Sequence, residues 1–119
     1  MVQCNYGSRQ QLKRIARRAA QGIARNGSTA GNGSGDIFIA FSTANPGRGK
    51  ATRTPTLTMF PNDRISPLSE ATVQATEEAV INALVAAETM TGANNRTITA
   101  LPHDKLREIL KKYNRLTQE

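Results

Sequence analysis

The stretch that decides the fold is residues 31–43, GNGSGDIFIAFST, in which a glycine-rich segment runs directly into an apolar one. Gly, Ser and Asn predominate before Asp36, which is typical of a loop. From Asp36 to Thr43 the run is β-branched, aromatic and apolar almost throughout, which predicts a strand covered on both faces. We therefore expect a buried strand to begin where a flexible loop ends.

An amphipathic helix is predicted before the loop, because residues 9–25, RQQLKRIARRAAQGIAR, separate apolar from basic side chains at helical spacing. The predicted apolar face consists of Leu12, Ile15, Ala16, Ala19 and Ile23, and the basic face of Lys13, Arg14, Arg17 and Arg18. Asn26-Gly27-Ser28 tolerates left-handed backbone and predicts the end of this helix.

The chain beyond the first strand predicts a β-hairpin. Residues 45–53, NPGRGKATR, are typical of a polar turn. Residues 54–60 alternate Thr with Leu57 and Met59, as in a returning strand.

A second long helix is predicted from Ser66-Pro67, because serine caps free amides and proline fits the first helical position. Its apolar residues cover a wide arc to about Met90, so we expect it to pack on the hairpin. Gly92 is expected to end it.

The end of the sequence predicts a short strand over residues 97–101 and a last helix capped by Asp104. The order helix, loop, two strands, helix, strand, helix indicates the α+β class, with no internal repeat. Only 4% of the residues are aromatic and there is no Trp, so the predicted core is thin. A thin core is consistent with an assembly that supplies the missing packing surface.

The formal net charge of +7 raises the possibility of a polyanionic ligand. The basic residues concentrate in two helical stretches, 9–25 and 105–115, without the interleaved aromatics of a single-strand platform. This pattern favours solvated helix faces over a nucleic-acid site.

The sequence has one cysteine, Cys4, which cannot form an internal disulfide. Its one histidine, His103, is not at a recognised metal-ligand spacing from Cys4, so no metal or cofactor is predicted. The N-terminus has no apolar signal region, and no run approaches the roughly 18 apolar residues of a membrane span. The sequence therefore predicts a cytoplasmic chain without a membrane partner.

Ser34 is the candidate nucleophile. No base of the usual relay is placed beside it by sequence spacing, but cleavage of the Gly33–Ser34 bond would free an α-amino group able to accept the hydroxyl proton. Gly33 leaves the carbonyl open, Gly35 permits unusual backbone geometry, and Asn32 can orient the loop. The same composition is also that of an ordinary linker. A phosphate loop is excluded, because such loops follow a strand and open a helix.

The runs QLKRIARRAAQGIARNGS, GNGSGDIFIAFSTANP, SEATVQATEEAVINALVAAETMTG and TALPHDKLREILKKY resemble the D-aminopeptidase and β-peptidyl aminopeptidase family, also called the L-aminopeptidase/D-esterase family. The resemblance covers about residues 11–116. It implies a four-layered αββα sandwich of the N-terminal-nucleophile type, without a metal. It also implies self-cleavage between Gly33 and Ser34, hydrolysis of short peptides, amino-acid amides or esters, and an oligomer of αβ units.

The resemblance also implies roles for individual residues. Ser34 would be nucleophile and, through its freed amine, general base, while Glu70 would tune that amine or a second hydroxyl near it. Ser66 and Ser69 are rival candidates for a second hydroxyl, although all three helix residues also suit a first helical turn. Asn5 would supply the oxyanion-stabilising side chain, or would simply be a polar residue after a short strand.

Family members are longer than this chain, and the segment upstream of the loop looks shorter than the corresponding family segment. Residues 1–33 would be a remnant of the α subunit and residues 34–119 a β-subunit-like catalytic segment. Two alternatives to an active enzyme stay open: a basic binding module acting through residues 9–25, and an inactive fragment.

Overall fold

The computed structural model describes residues 2–4, 8–46 and 56–116. Its strands and helices, in chain order, are β1 (Val2–Cys4), α1 (Arg9–Arg25), β2 (Ala40–Ser42), α2 (Ser66–Ala86), β3 (Met90–Thr91), β4 (Thr97–Ile98) and α3 (His103–Lys112). Single 3-10 turns cover Asn62–Arg64 and Ala93–Asn95. The chain forms two compact units, Met1–Glu78 and Ala79–Glu119. Helices and strands are both present, as the sequence predicted.

Helix α1 has the predicted bounds, Arg9–Arg25, and begins with a reciprocal capping box. Ser8 Oγ accepts from the Gln11 amide at 3.4 Å, and the Ser8 amide donates to Gln11 Oε1 at 3.0 Å. Gln11 is only 4% exposed, and its Nε2 donates to the Phe60 carbonyl at 2.7 Å. One buried glutamine thus caps the helix and fixes a distant loop against it.

The buried face of α1 differs from the predicted one. Gln11, Ile15, Ala19 and Gly22 are buried, while Leu12, Ala16 and Ile23 are half-buried. The shift follows from the partner: a methyl group at Gly22 would lie 2.6 Å from both Thr76 Cβ and the Val73 carbonyl. The absence of a side chain at Gly22 therefore allows α1 and α2 to approach closely.

The core of the first unit is small. Its buried apolar residues are Ile15, Ala19, Ile65 and Val73. Two threonines of α2 satisfy their hydroxyls inside the helix, since Thr72 Oγ1 donates to the Leu68 carbonyl and Thr76 Oγ1 to the Thr72 carbonyl, each at 2.7 Å. The thin core predicted from composition is present in the described residues.

The strand predicted over residues 36–43 is confirmed only for Ala40–Ser42, which pairs in parallel with β1. Burial on both faces is wrong: residues 38, 40 and 42 are half-buried, whereas Ile37 is 85% and Ile39 57% exposed. The alternation has a direct cause, because α1 lies against one face of this segment and no described element covers the other.

The predicted hairpin is also wrong where it can be compared. Residues 56–60 form no strand, and residues 47–55, which hold most of the predicted turn and the start of the returning strand, lie outside the described part. The Asn45 side chain makes the connection instead: its Nδ2 donates to the Thr58 carbonyl at 3.1 Å and its Oδ1 accepts from the Thr58 amide at 2.9 Å. Hydrogen bonds to the Asn45 side chain thus take the place of strand pairing at Thr58, and α2 packs on α1 where a hairpin was predicted.

The second unit contains the end of α2, the antiparallel pair β3–β4 and α3. Helix α2 ends at Ala86, before the predicted Met90, and Gly92 lies in the hairpin turn, where its amide donates to the Arg96 carbonyl at 2.9 Å. The strand predicted at 97–101 is confirmed over Thr97–Ile98.

Helix α3 confirms the predicted last helix with a different start. It begins at His103 after Pro102, which provides no side-chain cap, so Asp104 lies in the first turn and not at the cap. An acidic residue in that turn still complements the helix dipole.

Candidate active site

Ser34 lies in an exposed turn that precedes β2. The Ser34 amide donates to the Gly31 carbonyl at 2.8 Å, which closes a turn over residues 31–34. Side chains added at Gly31, Gly33 or Gly35 would meet no atom within 4 Å. The Gly33–Ser34 peptide bond is therefore open to approach.

The Ser34 hydroxyl has a carboxylate partner in this loop. Ser34 Oγ donates to Asp36 Oδ2 at 2.7 Å, a distance within the range typical of a hydroxyl bonded to a carboxylate. Sequence reasoning placed Asp36 only at the start of the strand and missed this contact. The signal was available, because side chains two residues apart on extended backbone point to the same side.

Glu70 is exposed on the first turns of α2, and its Oε1 accepts from Gln74 Nε2 at 3.3 Å. Among the described residues, no hydrogen bond joins Glu70 to Ser34. Asn5, the predicted oxyanion-stabilising residue, lies outside the described residues.

The rival hydroxyls both lie on the first turn of α2. Ser66 is the first residue of α2 and is exposed, and Ser69 is half-buried and donates its amide to the Ile65 carbonyl at 3.1 Å. Neither hydroxyl makes a hydrogen bond within the part of the chain that the structure describes. The choice between them stays open.

His103 is engaged elsewhere: its Nε2 lies 2.9 Å from the Val85 carbonyl oxygen, within the second unit. No group of three or more His, Cys, Asp or Glu side chains converges within residues 2–4, 8–46 and 56–116. In the same residues, no helix is long and apolar enough to cross a membrane.

An open groove of about 520 Å³ runs between the start of α1 and residues 38–45. Leu12, Ala16 and Phe38 give it apolar walls, and Arg9 and Lys13 lie at its rim. Ser34 does not line this groove.

Several basic residues of the 9–25 stretch make contacts within the first unit. Arg14 Nη1 donates to Asn62 Oδ1 at 2.6 Å, and Arg25 Nη1 pairs with Glu77 Oε2 at 2.9 Å. Arg18 buries its Nε without a partner among the described residues. Two basic residues of the stretch that suggested a polyanion site therefore already have partners on the surface of the first unit.

Comparison with protein families gives a match of residues 7–98 to the model of peptidase family S58. The chain is 54% identical over 107 residues to beta-peptidyl aminopeptidase BapA of Sphingosinicella microcystinivorans, covering 89% of this chain and 27% of that protein. It is 50% identical over 103 residues to BapA of Sphingosinicella xenopeptidilytica, covering 85% and 26%. The chain thus spans about a quarter of the length of these curated relatives.

Two solved structures are similar over nearly the whole chain. The PH0078 protein of Pyrococcus horikoshii OT3 superposes with a TM-score of 0.89 at 43% identity, over 96% of this chain and 33% of that one. The L-aminopeptidase D-Ala-esterase/amidase of Ochrobactrum anthropi, a variant among the Ntn hydrolase fold, gives 0.85 at 42%, over 97% and 33%. The chain accordingly has part of the Ntn hydrolase fold, as the resemblance of its loop and strand predicted.

Proposed function

This chain belongs to peptidase family S58, and from that premise we propose that it is the nucleophile-bearing part of a self-processing serine aminopeptidase. One observation carries the proposal: an exposed Gly33–Ser34 bond whose serine hydroxyl is bonded to the Asp36 carboxylate. The 54% identity to a beta-peptidyl aminopeptidase supports it.

Self-processing begins with attack of Ser34 Oγ on the Gly33 carbonyl carbon. The hydroxyl proton passes to the Asp36 carboxylate, the acceptor already in contact, and is then delivered to the departing Ser34 nitrogen. The C–N bond breaks as the ester between Gly33 and Ser34 Oγ forms. Water hydrolyses this ester, leaving a carboxylate on Gly33 and a free amine on Ser34. The products are residues 1–33 and 34–119, the two subunit segments predicted from the sequence.

Peptidase turnover uses the amine that processing creates. Ser34 Oγ attacks the carbonyl of the substrate's first residue while the Ser34 α-amine accepts its proton. That proton leaves with the amine or alcohol of the substrate, and water then releases the residue from the serine ester. The substrates proposed are short peptides, amino-acid amides or esters, with no metal or cofactor required.

Glu70 and Asn5 complete the proposed site. Glu70 holds and tunes the Ser34 amine, and Asn5 stabilises the oxyanion. Support for Glu70 is that its carboxylate is exposed and that its one hydrogen bond within the described residues is the weak contact with Gln74. Because this chain spans about a quarter of its curated relatives, the pocket that selects the substrate is proposed to come from the part it does not span, within an oligomer of αβ units.

The test is intact mass and peptidase activity of this chain, alone and mixed with a polypeptide corresponding to the unmatched part of the S. microcystinivorans relative. We expect a mixture-dependent split into residues 1–33 and 34–119 and hydrolysis of an aminoacyl p-nitroanilide. Ser34→Ala should abolish both, whereas Ser28→Ala, in the exposed start of the same loop, should leave both intact. An unbroken wild-type chain in the mixture would contradict the proposal.

A basic binding module is the second candidate, favoured by the exposed side chains of Lys13, Arg14 and Arg17. It predicts salt-sensitive binding to a polyanion that is lost when Arg14, Arg17 and Arg18 are neutralised. Binding that is indifferent to salt would contradict it. The internal contacts of Arg14 and Arg25 make this the weaker candidate.

A further inference from the structure

The chain contains two Asn-Gly pairs, Asn26-Gly27 and Asn32-Gly33, and the structure places them in opposite chemical situations. Asn-Gly is the dipeptide in which a backbone amide can most easily attack the preceding side chain, because glycine adds no bulk beside the attacking nitrogen. Whether attack occurs depends on whether the amide nitrogen and the asparagine carboxamide are free.

In the first pair both groups are held. The Asn26 Nδ2 donates to the Gly22 carbonyl at 3.1 Å and to the Glu77 carbonyl at 3.4 Å. The Gly27 amide donates to the Ala24 carbonyl at 2.9 Å as part of the end of α1. Attack at this pair requires these bonds to open first, so the helix end protects it.

In the second pair both groups are free. Asn32 and Gly33 are exposed, and within the described residues neither the Asn32 side chain nor the Gly33 amide makes a hydrogen bond. A side chain placed at Gly33 would meet nothing within 4 Å, so the space beside this residue is open. The Ser34 amide bond to the Gly31 carbonyl holds the surrounding turn.

We propose that Asn32 is a site of spontaneous deamidation, one residue before the Gly33–Ser34 bond. The Gly33 nitrogen, losing its proton to solvent base, bonds to Asn32 Cγ. The Cγ–Nδ2 bond breaks, and ammonia leaves with a proton from solvent, giving a cyclic imide. Water then adds to either imide carbonyl, which leaves at this position either an aspartate with a normal backbone or an isoaspartyl linkage in which the chain runs through the side chain.

The modification alters the loop that carries Ser34. It introduces a carboxylate four residues from Asp36, and the isoaspartyl form lengthens the backbone by one carbon within the 31–34 turn. That change interrupts the turn whose closing bond comes from Ser34 itself. If the proposed function holds, a deamidated precursor self-cleaves more slowly. The average rate of self-cleavage therefore falls as more chains become deamidated with time.

The test is peptide mapping of the Ser34→Ala chain, which cannot self-cleave, during incubation near neutral pH. We expect deamidation at Asn32 at least about tenfold faster than at Asn26, a lower bound if the three hydrogen bonds of the Asn26-Gly27 pair must open first. In denaturant the two pairs should react at similar rates, because only the fold distinguishes them. Equal rates in the native protein, or faster reaction at Asn26, would overturn the proposal.

Gly33→Ala is the matched variant, because Gly33 has open space for a methyl group and no left-handed backbone requirement. It should slow deamidation at Asn32 by about tenfold or more through crowding of the attacking nitrogen, with the unfolding midpoint unchanged. Isoaspartyl content, read by enzymatic methylation, reports the modification independently of any peptidase assay. A failure of the deamidation proposal can therefore be told apart from a failure of self-cleavage. Unchanged isoaspartyl formation in Gly33→Ala would contradict attack by the Gly33 nitrogen.

Discussion

Ser34 and Asp36 form a hydrogen bond of 2.7 Å across one intervening glycine, with the serine hydroxyl as donor and the carboxylate as acceptor. Both side chains are exposed and lie two residues apart in one loop, so the pair needs no tertiary contact to form. In the proposed self-processing, this local arrangement provides a proton acceptor before cleavage frees the α-amine. The proposal therefore assigns different bases to its two steps, Asp36 to self-processing and the Ser34 amine to peptide hydrolysis.

Asp36→Asn is expected to slow self-cleavage by about a hundredfold, the usual contribution of a positioned general base, because an amide cannot accept the Ser34 proton. The rate is measured by intact mass in the mixture with the complementary family polypeptide. Asp63→Asn, which changes an exposed carboxylate in the 3-10 turn before α2, serves as the control and should leave the rate unchanged. An undiminished rate in Asp36→Asn would contradict proton acceptance by Asp36. The hydrogen bond would then only stabilise the loop.

Gly22→Ala is expected to destabilise the protein by about 1 kcal/mol. The added methyl group meets the Val73 carbonyl and Thr76 Cβ at 2.6 Å, and neither can rotate away, so the cost of overpacking, about 1 to 3 kcal/mol, exceeds the helix-propensity gain of about 1 kcal/mol. Urea unfolding measures the change. Gly35→Ala is the matched control, since its methyl group meets nothing, and it should stay within about 0.5 kcal/mol of wild type.

Gln11→Ala is expected to lower the free energy of unfolding by about 1 to 3 kcal/mol, because it removes the partner of the Ser8 amide and leaves the Phe60 carbonyl without this donor. Gln10→Ala changes an exposed glutamine on the same turn and should have little effect. Thermal unfolding of the two variants makes the comparison. Equal midpoints would mean that solvent replaces both bonds at no cost.

Asn45→Ala is expected to release residues 56–59 without unfolding the rest of the unit, because Gln11 still holds the Phe60 carbonyl. Both hydrogen bonds between this side chain and Thr58 are lost, and the segment has no strand pairing to retain it. Hydrogen exchange at the Thr58 amide should accelerate by about tenfold, whereas the amides of α1 should be unaffected. Asn45→Asp keeps the acceptor for the Thr58 amide and should show the smaller acceleration of the two.

The sequence predicted those features that depend on local patterns. Helix α1 was located to the residue because a 3.6-residue period of apolar and basic side chains ends at an Asn-Gly pair. The sequence did not predict that Gln11 and Gly22 are buried. A polar residue or a glycine indicates burial only when the helix or loop that packs on it is known. Ser34 as nucleophile stays a prediction that rests on its loop and the family resemblance, and its contact with Asp36 was not predicted, because the sequence placed Asp36 only at the start of the strand.

The failure over residues 36–43 has a different physical origin. A run of apolar residues predicts burial, but burial requires a covering layer, and this chain spans about a third of the solved structures it resembles. The alternation of half-buried and exposed residues shows the one face that α1 covers. The hairpin failed because Thr, Leu and Met at alternate positions fit an extended segment held by a side chain as well as a paired strand.

The open face of the β2 segment yields the last prediction. Ile37, Ile39 and Phe41 form an exposed apolar row beside a strand with one described partner, the kind of surface through which chains associate. The double variant Ile37→Lys and Ile39→Lys should therefore bind less of a dye that reports exposed apolar surface. It should also reduce concentration-dependent association of the isolated chain, which is measured by light scattering. Replacing the exposed Thr97 and Thr99 by Lys adds the same charge elsewhere and should not reproduce the effect. If both double variants suppress association equally, net charge rather than the apolar row controls it. If the first alone does so and also loses processing in the mixture with the complementary family polypeptide, the apolar row is where that polypeptide docks.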